Sequence, residues 1–422
     1  MAKFRPSRRQ FIQQASFGAG ALAIGGKRFA SAQSSALPAP AASGIDHVIV
    51  VMMENRSYDH YLGWLPGSDG RQAGLAYLDE AGVAHQTYRL APDFQGCGHP
   101  DPDHSFEGGR IQYNQGQCDG WLRAGESDEY AIGYYTARDL AFFQKAVTDW
   151  TTCDRYFSPM MAATFPNRFY MHSAQTDRLR NTFELSSLPT IWDRLAEAGL
   201  QGRYYFSDVP FTMFWGLKYL PITSPFASFL GDCAAGTLPH VSFVEPRFLE
   251  ESTGISSDDH PHADIRNGQA FLNTVYEAVV ASPAFERTVL VITYDEWGGF
   301  FDHVPPPSAP FADGAIGNDG LLGFRVPSLV VAPFARKRFV SSAVLDHTSI
   351  LRMVEWRWSL APLTVRDMHA TNLAEVLDFT KPKTKAPKYQ VPDPQFPTIC
   401  PPGEVDKWKT LLAMAPNLGW PI

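Results

Sequence analysis

Two pairs of acidic or amide side chains directly follow apolar, β-branched segments of this chain. Glu54 and Asn55 follow the letters VIVVMM, and Asp295 and Glu296 follow the letters TVLVITY. Carboxylates at the ends of buried strands are costly unless a cation compensates them, and oxygen ligands suit divalent metal ions. One such pair is equally well explained as a helix cap or a solvated turn. Two pairs after two strands of one sheet favour metal ligation.

A threonine lies where a nucleophile can be combined with phosphate-binding groups. Thr164 opens the letters TFPNR, in which Pro166 favours the first turn of a helix. A helix starting at residue 165 or 166 would make Thr164 its N-cap and would offer backbone N–H groups to phosphoryl oxygens. Asn167 and Arg168 would add a donor and a cation for charge on those oxygens. Taken alone, an ordinary capping threonine explains the position better than catalysis does.

Alternating strand and helix patterns must position these groups. Four apolar segments predict buried strands, at residues 48–53, 240–244, 288–294 and 326–331. Helical patterns cover residues 139–150, 190–198, 264–280 and 347–358, with Asp264 and Asp346 as capping or first-turn acids. The alternation predicts an α/β fold with a mostly parallel central sheet and helices on both faces. Ligands bind at the carboxyl ends of strands in such sheets, which is where both acidic pairs lie.

The first 32 residues have the pattern of an export signal. Arg8 and Arg9 precede a small-residue apolar segment at residues 15–26, and the letters ASA at residues 30–32 offer a cleavage site. The paired arginines predict the twin-arginine export machinery as a partner, and a periplasmic or secreted location. Without its six basic residues, the mature chain would have a formal net charge of −14 instead of −8.

This charge and the later sequence exclude several classes of partner. An acidic chain is a poor candidate for holding nucleic acid or an anionic membrane by bulk charge, and no later segment is apolar for long enough to insert stably in a membrane.

Five cysteines match no thiolate metal site, and Cys97 with Cys118 is the pairing considered for a disulfide bond. The expected organisation is a signal peptide at 1–32, a linker at 33–44, a catalytic domain at 45–380 and a Pro/Lys-rich tail at 381–422, with little chemistry in the tail.

Four ordered segments resemble the bacterial phosphoesterase family of phospholipase C and acid phosphatase type, which belongs to the alkaline-phosphatase superfamily. They are HVIVVMMENRSYDHYLG from residue 47, DPDHS from residue 101, TFPNR from residue 164, and DDHP from residue 258 followed by DEWGGFFDHVPP from residue 295. The resemblance covers roughly residues 45–379, and several gapped motifs in the family's order are far more specific than any one of them. It implies an alkaline-phosphatase-like fold.

The resemblance also implies roles for individual residues. Four side chains would bind a divalent metal ion of unspecified identity: Glu54, Asn55, Asp295 and Glu296. Thr164 would be the nucleophile, and His104 and His260 would contact the phosphate or the leaving group. A cation lowers the pKa of a hydroxyl, so the Thr164 oxygen could attack phosphorus, form a phosphothreonine and later release it to water. His260 is the histidine expected to protonate the leaving oxygen.

The expected activity is phospholipase C-type cleavage of a phosphodiester in a phosphoester or phospholipid substrate. Acid phosphatase activity at the same site is the alternative, and a non-catalytic exported binding protein is the alternative of another class. A binding protein would be expected to lack Thr164 or one of the acidic pairs. A serine hydrolase would need a G-x-S-x-G segment, which the chain lacks, and a sulfatase usually needs cysteine or serine at the position of Thr164. Asp302 and His303 could orient the ligands or be structural, and the sequence leaves both open.

Overall fold

Strands and helices alternate along the chain. The structure, a computed structural model, describes residues 37–311, 315–317, 319–383, 385–393, 399–401 and 406–422, so the predicted signal peptide lies outside it. The strands of the described part are β1 (His47–Met53), β2 (Ala76–Leu78), β3 (Ala84–Gln86), β4 (Tyr88–Arg89), β5 (Gly133–Tyr134), β6 (Thr151–Cys153), β7 (Gly202–Phe206), β8 (Thr223–Pro225), β9 (Val241–Val244), β10 (Thr288–Tyr294), β11 (Ser328–Val331) and β12 (Phe339–Ser341). Its α-helices are α1 (Tyr58–Leu62), α2 (Phe106–Tyr113), α3 (Phe143–Asp149), α4 (Thr164–Ser173), α5 (Ile191–Glu197), α6 (Phe226–Ala235), α7 (Ile265–Ala281), α8 (His347–Trp358), α9 (Val365–Met368) and α10 (Lys407–Leu418).

The central sheet has eight strands in the order β12-β6-β11-β10-β1-β9-β7-β8. β1 pairs in parallel with β10 on one side and with β9 on the other, and the pairs β9–β7, β7–β8 and β12–β6 are also parallel. β11 is antiparallel to both of its neighbours, β10 and β6. Seven of the eight strands therefore run in one direction, which confirms the predicted mostly parallel sheet.

Both faces of the sheet are covered. Every residue of β10 is buried, and so is every residue of β1 after His47. Because alternate side chains of a strand point to opposite faces, burial along a whole strand requires cover on each side. Helices supply part of this cover, with α5 and α6 packed against β7 and α6 also packed against β8. The α/β fold agrees with the sequence prediction.

Three predicted helices, α5, α7 and α8, lie within one residue of their expected ends. Asp264 and Asp346 are the N-cap residues of α7 and α8, as predicted. The helix predicted from residue 139 begins only at Phe143, because Asp139 instead accepts hydrogen bonds from the backbone and the hydroxyl of Thr136. Across the described ranges, no helix is both long enough and apolar enough to span a bilayer.

A disulfide bond ties the C-terminal tail to the rest of the chain. Cys97 pairs with Cys400 across 303 residues of sequence, so the considered pairing of Cys97 with Cys118 is wrong. Cys118 is a buried free thiol that packs with Trp121 and its aromatic neighbours. Closeness in sequence pointed to the wrong partner, because disulfide connectivity depends on which cysteines the fold brings together.

Candidate active site

Three carboxylates line the carboxyl edge of the central sheet. β10, β1 and β9 are neighbours, and the register sets Met53 opposite Tyr294, so Glu54 and Asp295 follow their strands at the same level. Glu245 follows β9 in the same way, and all three carboxylates are fully buried. Glu245 was not among the predicted site residues. The rule that found the two acidic pairs also points to it, because the strand before it was predicted.

Arg168 of α4 binds all three carboxylates. Its Nε lies 3.0 Å from Asp295 Oδ2, its Nη1 lies 2.5 Å from Glu245 Oε1, and its Nη2 lies 3.6 Å from Glu54 Oε1. The side chain is fully buried, and the Phe248 ring lies over its guanidinium. The sequence predicted Arg168 as a cation for phosphoryl oxygens, but its Nε and Nη1 donate to carboxylates and its Nη2 donates to the Met53 carbonyl oxygen. Arg168 therefore anchors the first turns of α4 on the strand ends.

The sequence predicted Thr164 as the N-cap of a helix, but in the structure Thr164 is the first residue of α4. Ala163 holds the N-cap position and has no side-chain acceptor for the helix N–H groups. Thr164 Oγ1 is buried, and no group in the described part of the chain forms a hydrogen bond with it. Because Thr164 and Arg168 are four residues apart, they lie on the same face of α4. A buried, unpaired hydroxyl costs about 1–3 kcal/mol, so a threonine that does not cap the helix at this position favours a function beyond local structure.

Asn167 contacts backbone, where the sequence had predicted a contact with phosphate. Its Oδ1 accepts a hydrogen bond from the Met160 N–H at 3.0 Å. Its Nδ2 donates to the carbonyl oxygens of Ala162 and Ala163 at 2.6 and 3.0 Å. These three bonds fold the preceding segment against the start of α4. Both N–H groups of the Asn167 amide are therefore engaged by backbone carbonyl oxygens.

The start of α4 offers fewer backbone donors to a phosphate than the sequence suggested. The N–H of Phe165 already donates to Asn181 Oδ1 at 2.8 Å. Pro166 has no N–H to donate. The predicted helix-terminus contribution to phosphate binding is therefore small at these two positions.

Close backbone approaches hold the two acidic pairs together. Asn55 adopts a left-handed conformation with φ of 58°, and its N–H donates to Asp295 Oδ1 at 3.2 Å. Gly298 has φ of +63°, and a Cβ at that position would lie 2.3 Å from the carbonyl oxygen of Asn55. Only glycine permits this approach. The Gly298 N–H also donates to Glu296 Oε2 at 2.7 Å, which fixes the Glu296 carboxylate.

His104 and His260 lie beside each other, with ring centres 6.0 Å apart. His104 Nε2 is 3.9 Å from Glu296 Oε1. His260 Nδ1 is 3.3 Å from Glu251 Oε2, and its Nε2 is 3.7 Å from Asp101 Oδ2. Each histidine therefore has carboxylate neighbours, and each lies near a predicted metal ligand, His104 near Glu296 and His260 near Glu54.

The surroundings shift the pKa values of the two histidines in opposite directions. Burial opposes charge on His104, but the neighbouring carboxylates, Glu296 foremost, outweigh it and raise the His104 pKa to about 9. Burial, and then the charge of Lys407, lowers the His260 pKa well below its usual value. The Asn55 amide nitrogen lies 3.3 Å from His104 Nε2 and can donate to it when that nitrogen carries no proton. The sequence named His260 as the proton donor, whereas the raised pKa of His104 favours its protonated form and the lowered pKa of His260 favours its neutral form.

The predicted ligands suit a divalent cation. Within the described residues, three buried oxygens of the predicted ligands have no hydrogen-bond partner: Glu54 Oε1, Asn55 Oδ1 and Glu296 Oε1. Burial raises the pKa of Asp295 to about 7 and the pKa of Glu296 well above its usual value. Buried carboxylates and amides with unpaired oxygens are the donor set that a hard cation compensates.

Three acidic residues that the sequence did not single out extend the cluster: Asp101, Glu251 and Asp258. Two sets of side chains have possible ligand atoms within 4.8 Å of one another: Asp101 with His104 and His260, and Glu54 with Glu251 and His260. Asp258 is fully buried, and nothing in the described ranges hydrogen-bonds to its Oδ2. Asp101 and Asp258 lie inside the DPDHS and DDHP motifs, which could have found them, whereas Glu251 lies in no motif.

Asp302 and His303 belong to a neighbouring ion-pair network. His303 Nδ1 lies 2.5 Å from Asp59 Oδ2, and Arg325 binds Asp59 Oδ1 at 3.1 Å and Asp302 Oδ1 at 2.9 Å. Asp59, Asp302 and His303 are close enough to hold a metal ion, but Arg325 already compensates the two carboxylates. These contacts favour the structural interpretation of Asp302 and His303 over ligand orientation.

The C-terminal tail, from which the sequence predicted little chemistry, reaches the site. Lys407 Nζ lies 3.2 Å from Glu54 Oε2 and 3.5 Å from Glu251 Oε1. Trp408 Nε1 donates to the same Glu54 oxygen at 3.4 Å, and its ring stacks on Phe248 with centres 3.9 Å apart. The local sequence of the tail gives no indication of this contact, because Lys407 and Glu54 are 353 residues apart.

Comparisons with known proteins agree with this chemistry. The chain matches the Phosphoesterase family over residues 45–361. Non-specific phospholipase C3 of Arabidopsis thaliana is 29% identical over 82% of this chain and 76% of its own length. Non-specific phospholipase C1 of the same plant is 32% identical over 77% of this chain and 69% of its own length. Phospholipase C A of Mycobacterium tuberculosis is 30% identical over 75% of this chain and 73% of its own length.

The chain also overlaps a solved structure from Vibrio parahaemolyticus, described as a protein in the alkaline phosphatase superfamily. The overlap covers 78% of this chain and 70% of that one, at 9% identity and a TM-score of 0.38. This score is too low to carry an argument, and the assignment depends on the family match and the sequence relatives. The chain is a phosphoric-ester hydrolase and belongs to the Phosphoesterase family.

Proposed function

We propose that this protein is a metal-dependent phospholipase C-type enzyme that cleaves a phosphodiester through a phosphothreonine intermediate. The observation that carries the proposal is the buried, unpaired hydroxyl of Thr164, on the same face of α4 as Arg168. Arg168 anchors that face on the carboxylates at the strand ends. The three named relatives support a diester substrate, since each is a phospholipase C.

The chemistry follows from the placement of these side chains. Before the first step Thr164 releases its proton to solvent; its oxygen then bonds to phosphorus, while the bond to the alcohol breaks and His104 protonates the leaving oxygen. In the second step a water molecule gives one proton to His104 and its oxygen bonds to phosphorus, and the bond to Thr164 breaks, which returns the threonine oxygen in its deprotonated form. A divalent cation bound by the predicted ligands would supply positive charge for the threonine and phosphoryl oxygens.

The residues around Thr164 prepare it for this attack. Asn167 fixes the segment before it, and Arg168 fixes the helix that carries it. Both are therefore assigned to positioning, with no contact to the reacting phosphoryl group. Fixing the nucleophile before the substrate arrives lowers the entropic cost of reaching the transition state.

A substrate panel tests the proposal. With a divalent ion supplied, we expect the purified protein to cleave phosphatidylcholine and aryl phosphodiesters with higher kcat/KM than aryl phosphate monoesters. The panel also includes phosphatidylinositol, and product analysis should find a phosphorylated headgroup and diacylglycerol. The Thr164→Ala variant serves as the blank. Cleavage of monoesters alone would indicate the acid phosphatase alternative, and no turnover of any ester would indicate the binding protein.

We further propose that the chain is exported by the twin-arginine route to the periplasm or the medium. The motivation is Arg8 and Arg9 ahead of the apolar segment and the cleavage site. The Cys97–Cys400 disulfide supports the proposal, because such bonds persist in oxidising compartments.

Replacing Arg8 and Arg9 together by lysine should leave the precursor unprocessed in the cytoplasm. The twin-arginine machinery is expected to require the arginine pair, which lysine does not reproduce although it keeps the charge. Immunoblots of cytoplasmic, periplasmic and medium fractions distinguish precursor from mature protein. Arg28→Lys is the matched control and should be processed like the wild type. Normal processing of the double variant would contradict the assignment.

A further inference from the structure

Glu54 lies between two halves of the acidic site. Its Oε1 faces Arg168, at 3.6 Å from Nη2, on the side where Asp295 and Glu245 lie. Its Oε2 faces Lys407, at 3.2 Å from Nζ, on the opposite side. The Glu54 carboxylate is thus shared between two halves of the site. One half contains Arg168 of α4, and the other contains Lys407 of the tail.

The half around Lys407 is built like a cation site. Glu54, Glu251 and His260 have possible ligand atoms within 4.8 Å of one another, as do Asp101, His104 and His260. Asp258 adds a fully buried carboxylate, whose Oδ2 has no hydrogen-bond partner in the described part of the chain. Oxygen and imidazole donors at this spacing can hold a divalent ion. In the structure the positive charge that contacts Glu54 and Glu251 is the ammonium group of Lys407.

The fold holds Lys407 firmly in this position. It is the first residue of α10, and the Asp406 side chain caps that helix by accepting the N–H groups of Trp408 and Lys409. Trp408 stacks on Phe248, and the tail is tied to the core by the disulfide bond of Cys400. The ammonium group lies between two carboxylates, at 3.2 Å from Glu54 Oε2 and 3.5 Å from Glu251 Oε1.

We propose that Lys407 takes the place of a second divalent ion in this active site. The enzyme then holds one divalent ion, at Glu54, Asn55, Asp295 and Glu296, beside a fixed ammonium group. The inference rests on the proposed metal-dependent function. An ammonium group and a divalent ion cannot share the same carboxylate oxygens, because like charges repel strongly at such short separations. Removal of the ammonium group should therefore open the second half of the site to a metal ion.

Metal stoichiometry tests this directly. The full-length mature protein is stripped with chelator and dialysed against Mn²⁺, Zn²⁺, Ca²⁺ or Mg²⁺ in turn, and bound metal per chain is measured by elemental analysis. The wild type should bind one ion, and Lys407→Met, which keeps an unbranched chain without charge, should bind two. Lys407→Arg should bind one, because it retains a cation. Lys409→Met, on the same helix with its side chain 56% exposed, is the matched control and should bind one.

The outcomes separate the inference from the proposed function. A wild type that binds two ions, or a folded Lys407→Met variant that still binds one, would overturn the role of Lys407 and leave the phosphoesterase proposal standing. A wild type that is fully active without any bound ion would overturn both. Circular dichroism confirms that each variant is folded. If Lys407→Met does not fold, the wild-type count and Lys407→Gln decide the question.

Discussion

Replacing Thr164 by alanine is expected to lower kcat by about four orders of magnitude or more, the scale seen when a catalytic nucleophile is removed. The metal ligands and Arg168 remain in place, so metal binding should not change. Stability should change little, because the loss of a buried hydroxyl that has no partner among the described residues offsets the loss of the buried γ-methyl group. Turnover and melting temperature of the same preparation measure both effects.

Two further substitutions make this result specific to the hydroxyl. Thr164→Ser keeps the oxygen and should retain measurable turnover, whereas Thr164→Val keeps the shape without the oxygen and should be as inactive as the alanine variant. Acid quenching of the wild type during turnover should add one phosphoryl-type mass to the peptide that contains Thr164. Near-normal turnover by the valine variant would refute the proposed mechanism. An ordinary capping threonine is already disfavoured, because Ala163 occupies the N-cap position.

The parts of the site that the sequence could predict are those tied to strand ends. The β-branched segments before Glu54 and Asp295 identify two buried strands. An acidic residue directly after such a strand indicates a candidate metal ligand, whatever the order of the strands in the sheet. The structure then places the two strands side by side and parallel, with Met53 opposite Tyr294. Glu245 shows that the same argument extends to β9, where the sequence analysis did not apply it.

The parts that the sequence could not predict depend on contacts between distant segments. The antiparallel direction of β11 leaves no trace in its apolar pattern, because a strand buried on both faces looks the same in either direction. Asn167 resembled a phosphate ligand because its backbone partners depend on how the preceding loop folds. Lys407 lies in a segment without a family motif, and its contact with Glu54 exists only because the tail returns across the strand ends.

The motifs also gave incomplete information about charge. The DPDHS and DDHP motifs contain Asp101 and Asp258 as well as His104 and His260. The protonation of the two histidines, however, depends on neighbouring residues that the motifs do not identify. Glu296 raises the pKa of His104, whereas burial and Lys407 lower the pKa of His260. The sequence could therefore name a histidine pair and could not divide the roles within it.

Metal removal is expected to abolish turnover, and the Glu296→Gln variant tests whether Glu296 is one of the metal ligands. Dialysis against a strong chelator should leave no activity, and a divalent ion should restore it. Glu296→Gln should lower metal affinity at least about tenfold, which is the scale of loss seen even for residues outside the ligand set. Metal affinity, and not turnover, is the readout for this variant, because the change also removes the carboxylate that raises the His104 pKa, whereas a glutamine can still accept the Gly298 N–H.

The binding of the ion should also be visible as stability. A ligand that binds only the folded state at one hundred times its Kd adds about 2.7 kcal/mol to the free energy of unfolding. The melting temperature of the wild type should therefore rise as metal is added. The same rise in the Glu296→Gln variant should require a higher metal concentration. Glu355→Gln is the matched control, since Glu355 is buried on α8 and its carboxylate oxygens also have no hydrogen-bond partner in the described part. Its metal titration should match the wild type. A chelated protein with full activity, or a Glu296→Gln curve that coincides with the wild-type curve, would contradict metal ligation at this position.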